Sequence, residues 1–260
     1  MVSVSPSSHP PNTGVFDSFS PFTSLSHPFA PPHSISWNLD TFCKALHSAR
    51  TDSSQCGILS VQHRHYVPGY QGIFEHEVLI LDVVPLVPGR GLPQKNAPHT
   101  YIQVGRFEDQ ARMSFFGLSG FARDEVVVVG QKGVQGSNQQ VPQFAGYHLT
   151  TISWAKELPN LVDVFDVINL FSHMFPRYNV LTCQCFWLPR MIYNLLRLVY
   201  DPFHEDTGGL VWMLLPFLTP APPAVLLSFC RDKKQWSHCA TVGRICDSAA
   251  ERANNQESGF

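Results

Sequence analysis

Between residues 72 and 155 the apolar positions come in short bursts separated by Pro, Gly and polar residues. Residues 76–85, HEVLILDVVP, form an apolar run rich in β-branched side chains that stops at Pro85, which predicts a buried strand. Residues 100–108, TYIQVGRFE, alternate apolar and polar and predict a second strand. DEVVVVG at 124–130 and YHLTTISW at 147–154 predict a third and a fourth. The stretch 86–98, with three prolines and two glycines, reads as a long connection. Residues 131–146, rich in Gln and Gly, read as a loop.

After residue 160 the period changes. Leu161, Phe165, Ile168 and Phe171 or Ser172 recur at helical spacing, which predicts an amphipathic helix over 160–175 ended by Pro176. In CQCFWLPRMIYNLLRLVY, Leu188, Ile192, Leu195 and Val199 line one face of another. Strands followed by helices imply an α+β domain over 72–200, with an antiparallel sheet of about four strands packed on two or more helices.

The flanks read differently. Residues 1–35 hold nine Ser, seven Pro and one charged side chain, Asp17, and read as a disordered tail. Residues 36–71 read as a short helix, with Phe42, Ala45 and Leu46 on one face and Asn38 or Asp40 as N-cap, followed by a loop. Residues 201–260 read as a C-terminal extension. Its segment 208–230 has no charge and is long enough to span a bilayer. However, Pro216, Pro220, Pro222 and Pro223 interrupt it, so a loop or partly buried tail is the favoured reading and a membrane-associated segment the alternative. A short helix is expected within 241–254.

Composition narrows the function. Only 15% of the 260 residues are charged, against ~25% in an average soluble domain. The average is uneven, because the tail and 208–230 together hold one of the 38 charged residues. A net charge of −2 and a sequence pI near 6.6 argue against a nucleic-acid partner. Seven irregularly spaced cysteines do not resemble a secreted disulfide framework. The first residues lack a basic and then apolar leader, so the expected location is intracellular, in the cytoplasm, with reduced thiols.

One pair of residues stands out chemically. Cys185 precedes an amphipathic helix, and the positive end of a helix dipole favours the reactive thiolate. His76 opens the first apolar strand and is placed to act as base or ion-pair partner. The segment Tyr178-Asn-Val-Leu-Thr-Cys-Gln-Cys185-Phe-Trp-Leu-Pro-Arg resembles the Y…NC-aromatic-(W/H)-F-A segment of the permuted papain-like superfamily, which includes lecithin–retinol acyltransferase-like and PPPDE-type proteins. It is more similar still to a group of fungal proteins with a Y…NCYWFA-like segment and an upstream strand beginning His-Glu, as in His76-Glu77-Val78 here.

The resemblance covers residues 72–200. It implies a permuted papain-like fold in the order His on a strand, a polar residue on the next strand, Cys on a helix. It also implies thiol-dependent hydrolysis or acyl transfer on an amide, ester or thioester of a protein, peptide or lipid-like substrate, with no cofactor and no metal. The catalytic set implied is Cys185, His76 and Gln103, with Arg106 and His99 as other candidates for the third place and Cys183 as an alternative nucleophile. A catalytically inactive interaction module on the same fold is the competing expectation. Gln184 stands where the pattern has Asn. Pro189 stands where it has a small residue, which implies a helix start one or two residues after Cys185.

Other groupings carry less. His63-x-His65 would point two rings the same way on a strand, as a metal pair does, but no third ligand is evident. Cys230, His238, Cys239 and Cys246 have zinc-ligand chemistry without zinc-ligand spacing. GQKGVQG at 130–136 lacks the ending of a phosphate-binding loop. Asp163 and Asp166 read as the solvated face of their helix.

Overall fold

The apolar bursts pair into one antiparallel sheet. The computed structural model describes residues 34–49, 55–66, 76–95, 99–108, 119–129, 147–179, 187–200 and 202–207, with residues 243, 244 and 247. The elements run β1 (Ser34–Asn38), α1 (Leu39–Ser48), β2 (Cys56–Tyr66), β3 (His76–Pro85), β4 (Thr100–Glu108), β5 (Ser119–Val129), β6 (Tyr147–Ser153), α2 (Leu161–Met174), β7 (Arg177–Asn179), α3 (Trp187–Val199) and β8 (His204–Thr207). Seven strands form the sheet in the order β1-β5-β4-β3-β2-β6-β8, every pair antiparallel, and β7 pairs with the start of β5.

The α+β class and the antiparallel sheet agree with the sequence pattern, and β3 and β4 occupy the predicted 76–85 and 100–108. The strand number is larger than the expected four. The segment 51–72 was expected to be a loop, yet β2 within it is the strand between β3 and β6. Its apolar signal is weak because His63, Arg64 and His65 occupy its second half, and a register shift between Ile58 and Ser60 breaks the alternation. β1 lies at the junction of the expected tail and helix, and β8 in the expected C-terminal extension. Among the described residues the sheet therefore extends beyond 72–200 on both sides, from Ser34 to Thr207. The segments 1–33, 130–146 and 208–230 and the Cys230, His238, Cys239 and Cys246 set lie outside the described residues.

Local chemistry explains each helix. Asn38 caps α1, its side-chain oxygen accepting from the Asp40 N–H at 3.0 Å, and Phe42 and Leu46 are buried on one face. Asn160 caps α2 through the N–H groups of Val162 and Asp163, and the predicted Leu161, Phe165, Ile168 and Phe171 are its buried stripe. α3 begins at Trp187, so Pro189 is its third residue. The first four N–H groups of a helix have no intrahelical acceptor, and Pro189 costs no hydrogen bond there.

The three helices contribute to one core with the inward residues of the sheet, among them Val61, Leu79, Leu81, Ile102, Val104, Val126 and Ile152. Ile80, Tyr101, Val127 and Val129 form a second buried cluster on the opposite face. Burial on both faces is the reason β3 reads as a continuous apolar run rather than an alternating one. At Gly57 the chain passes so close to the α2 approach that a Cβ there would lie 2.8 Å from Leu86 Cδ2 and 2.9 Å from Leu158 Cβ.

Candidate functional site

Strand alternation decides which polar residues meet the helices. Glu77 follows His76 at the start of β3 and lies on the same face as Leu79 and Leu81. Its side chain is fully buried, as is that of His63 on β2. His63 Nε2–H donates to Glu77 Oε2 at 2.7 Å. Arg190, in the first turn of α3, donates from Nε to Oε2 at 2.9 Å and from Nη2 to Oε1 at 2.5 Å. His65 Nδ1 lies 3.9 Å from Oε1. One carboxylate thus joins β2, β3 and α3. Burial pushes the Glu77 carboxyl up, but the hydrogen bonds and positive charge of His63 and Arg190 outweigh that and hold it below its ordinary value.

The network continues along α3. The Tyr193 ring packs at a tilt against the His63 ring, with centroids 5.9 Å apart. The buried Thr150 hydroxyl accepts from the Tyr193 hydroxyl at 2.8 Å and donates to the Asp206 carbonyl at 2.8 Å. Burial raises the Tyr193 hydroxyl to about 12, so it remains a neutral donor. Glu205 on β8 lies 3.4 Å from that hydroxyl and pairs with Arg197 of α3 at 2.9 Å.

A second ionic pair holds the first residue of α3. Arg106 on β4 is fully buried and binds Asp124 on β5 through two hydrogen bonds, Nε to Oδ1 at 2.8 Å and Nη2 to Oδ2 at 2.7 Å. Its Nη1 donates to the Phe175 carbonyl just beyond α2 at 2.9 Å. Its guanidinium lies over the Trp187 ring, 5.6 Å from the centroid, and Phe175 packs on the same indole at 4.4 Å. Val78 pairs with Gly105, and Gly105 with Glu125, so Glu77, Arg106 and Asp124 stand at one level of the sheet on neighbouring strands.

The residues expected from the sequence fall as follows. His76 is the first residue of β3 and pairs with Tyr66. Cys183 and Cys185 lie outside the described residues, and Cys185 is two positions before α3. Gln103 is buried on β4, opposite Ile80 and Val127. Four residue steps, about 13 Å, separate its level from that of His76, so the strand register does not bring it to His76. His99 is committed elsewhere: its Nδ1 is 2.8 Å from Asp82 Oδ1. Burial raises the Asp82 carboxyl, and the His99 contact opposes that rise. Asp166 is not merely solvated, since its carboxylate meets His47 Nε2 of α1 at 2.7 Å. His63 and His65 do lie on one strand face, but both approach Glu77. Among the described residues no group of three His, Cys, Asp or Glu side chains is arranged to hold a metal ion. No helix of the described residues is long and apolar enough to cross a membrane.

Glu77 and Arg190 were not singled out from the sequence. A signal exists for Glu77, an acidic residue inside an apolar strand. None exists for Arg190, because every residue from Trp187 to Tyr193 is buried and the helix has no polar face there to contrast with. Comparison of the chain with protein-family models, curated proteins and solved structures finds no match.

Proposed function

We propose that the chain is a thiol-dependent hydrolase or acyltransferase acting on an amide, ester or thioester carbonyl. The observation that carries the reading is the Glu77–Arg190 pair. It ties the residue after His76 to the first turn of the helix that Cys185 precedes by two positions. Glu77 follows His76 by one position and Arg190 follows Cys185 by five, and the chain order of the His and the Cys is the one the papain-like resemblance implies.

In this reading the Cys185 thiol gives its proton to His76, and the sulfur forms a bond to the carbonyl carbon. The bond to the leaving nitrogen, oxygen or sulfur breaks, and the leaving group takes the proton from His76. Water or an acceptor nucleophile then attacks the acyl–sulfur bond, its proton passing to His76, and the thiol is released. The substrate is a protein, peptide or lipid-like molecule, and no cofactor takes part.

Iodoacetamide alkylation read by peptide mass spectrometry tests this. Rapid labelling at Cys185 at about pH 6, slowed by His76→Ala, is expected. Labelling at Cys185 that is slow at that pH and indifferent to His76→Ala overturns it.

One observation favours a second reading, a non-catalytic interaction module. Gln103 is four positions along β4, and Arg106, at the level of the β3 start, is committed to Asp124 and Phe175. The orienting third residue that the resemblance implies is therefore not supplied by β4 at that level. The same labelling experiment separates the two readings.

A further inference from the structure

Alternation along the strands gives the sheet two buried faces, and the helices account for one of them. α1, α2 and α3 share a core with Leu79, Leu81, Ile102 and Val126. On the opposite face Ile80, Tyr101, Val127 and Val129 form a separate cluster to which no described helix contributes. This second face is nonetheless closed to water, with exposures of 0% at Ile80, 1% at Gln103 and 1% at Val127. One row across it runs Thr151, Gln62, Ile80, Gln103, Val127 and Ser36, without a charged side chain. The buried Ser36 hydroxyl at the end of that row has no hydrogen-bond partner among the described residues. A buried hydroxyl ordinarily has one, and polypeptide laid over the face supplies backbone N–H and C=O groups for it.

We propose that this second face is the docking surface of residues 208–230 of the same chain, which cover Ile80, Tyr101 and Val127. The proposal is independent of the thiol chemistry above. Outside the described residues, 208–230 is the longest run without a charged side chain, and Pro220, Pro222 and Pro223 separate its apolar stretches 210–218 and 225–229. Large apolar side chains are driven out of water, and an uncharged row of the sheet receives them without stripping water from a charge. The segment begins where β8 ends, at one edge of the sheet, and β8 to β5 is five strand spacings, about 24 Å. The nine residues 210–218 reach at most ~30 Å when extended, enough to cross that distance. The chain is back at the β6–β8 side by Arg244. Burial raises the Tyr200 hydroxyl to about 12 and the Arg244 charge opposes that rise, while the Tyr200 carbonyl accepts from Trp154 Nε1, just beyond β6, at 3.1 Å. Departure and return at one edge suit a segment that runs out over the face and back.

Photo-cross-linking in the full-length chain identifies the occupant. Photoreactive p-benzoylphenylalanine replaces Tyr101 in one variant and Gln62, nearer the β8 edge of the same face, in another. Cross-linked peptides are identified by mass spectrometry, and denaturing electrophoresis separates links within one chain from links between two. Hydrogen exchange of the unsubstituted chain provides a measurement that no substitution can disturb.

Cross-links from a cooperatively folding variant into 208–230 of the same chain are expected. Amides of 210–218 in the unsubstituted chain are expected to exchange slower than an unstructured chain by about tenfold or more. Cross-links confined to 1–33, 109–118 or 130–146, links to a second copy, or no cross-links at all overturn the assignment. Exchange of 210–218 at the unstructured rate overturns it as well. Flotation of the chain with phosphatidylcholine vesicles, accompanied by loss of the cross-links, overturns it in favour of a bilayer as the place of the segment.

Discussion

Two buried ionic pairs lie side by side under the start of α3, and they are built differently. Arg106 and Asp124 are cross-strand partners, brought face to face by the register of β4 and β5. Glu77 and Arg190 come from a strand and a helix far apart in the chain, and they meet only when α3 docks. The first pair is a property of the sheet, with Trp187 and the Phe175 carbonyl covering the parts of the guanidinium that Asp124 does not. The second is a property of the docking itself. The difference teaches that one row of the sheet can serve two purposes. Arg106–Asp124 makes a surface on which α2 and α3 end and begin, and Glu77–Arg190 fixes where on that surface α3 sits.

Truncation is expected to break this comparison most visibly. Arg106→Ala removes two hydrogen bonds to Asp124, the bond to Phe175 and the stack under Trp187, leaving a fully buried carboxylate. A loss at the upper end of about 3–5 kcal/mol is expected in urea unfolding. Arg190→Ala is expected to cost less, about 3 kcal/mol, because His63 still holds the Glu77 carboxylate and water reaches the Arg190 position more easily. A larger loss for Arg190→Ala would reverse the ranking and make the docking pair the main prop of the fold.

Acid sharpens the contrast in a second way. The folded-state pKa of Glu77 lies below its ordinary value of 4.5. Its contribution to stability is therefore fully present above that value and is lost as pH falls through the lower, folded value. Asp82 shifts the other way. Its carboxyl is raised by burial, so its ionised form opposes folding at neutral pH, and that opposition is relieved as pH falls through its raised value. Unfolding free energy followed through the acid range is expected to fall less steeply below the ordinary carboxylate pKa in Glu77→Gln than in wild type, and more steeply just above it in Asp82→Asn. An unchanged acid slope in Glu77→Gln would contradict the depressed carboxyl.

Smaller effects probe the edges of the network. Gly57→Ala places a Cβ against Leu86 and Leu158, and about 1–3 kcal/mol of overpacking is expected from the urea midpoint. Tyr193→Phe removes the donor to Thr150, whose hydroxyl retains its own bond to the Asp206 carbonyl, so about 1 kcal/mol is expected. A loss above that range would mean that the β6–α3–β8 corner acts with the Glu77 group as one unit.

The elements that were legible in the sequence are those in which one physical signal dominates. β3 shows as an apolar run because both its faces are buried. α2 shows through Leu161, Phe165, Ile168 and Phe171 because only one of its faces is. β2 was not legible, since its inward residues include His63, a polar side chain that becomes acceptable in the core only once Glu77 stands beside it. β1 and β8 are short strands of five and four residues whose partners lie far away in the chain. The candidate site divides the same way. His76 was expected at the head of an apolar strand, and it is the first residue of β3. Gln103, chosen as the polar residue of the following strand, turned out to lie four steps along, because the registers of β3 and β4 pair it with Ile80.

By itself the sequence determined the local structure: the helix stripes, a cap at Asn38 or Asp40 ahead of α1, the two long strands that open the sheet core, and an α+β class with an antiparallel sheet. These depend on periodicity and on hydrogen bonds a few residues apart, which neighbouring residues specify. Only the tertiary structure decided the strand order, the place of β2 between β3 and β6, and the meeting of His63, Glu77 and Arg190 on one carboxylate. Buried charge has no periodic signature. Whether Glu77 lies in water or in the core depends on hydrogen-bond partners 14 residues before it and 113 residues after it, and those distances close only when the sheet and α3 are assembled.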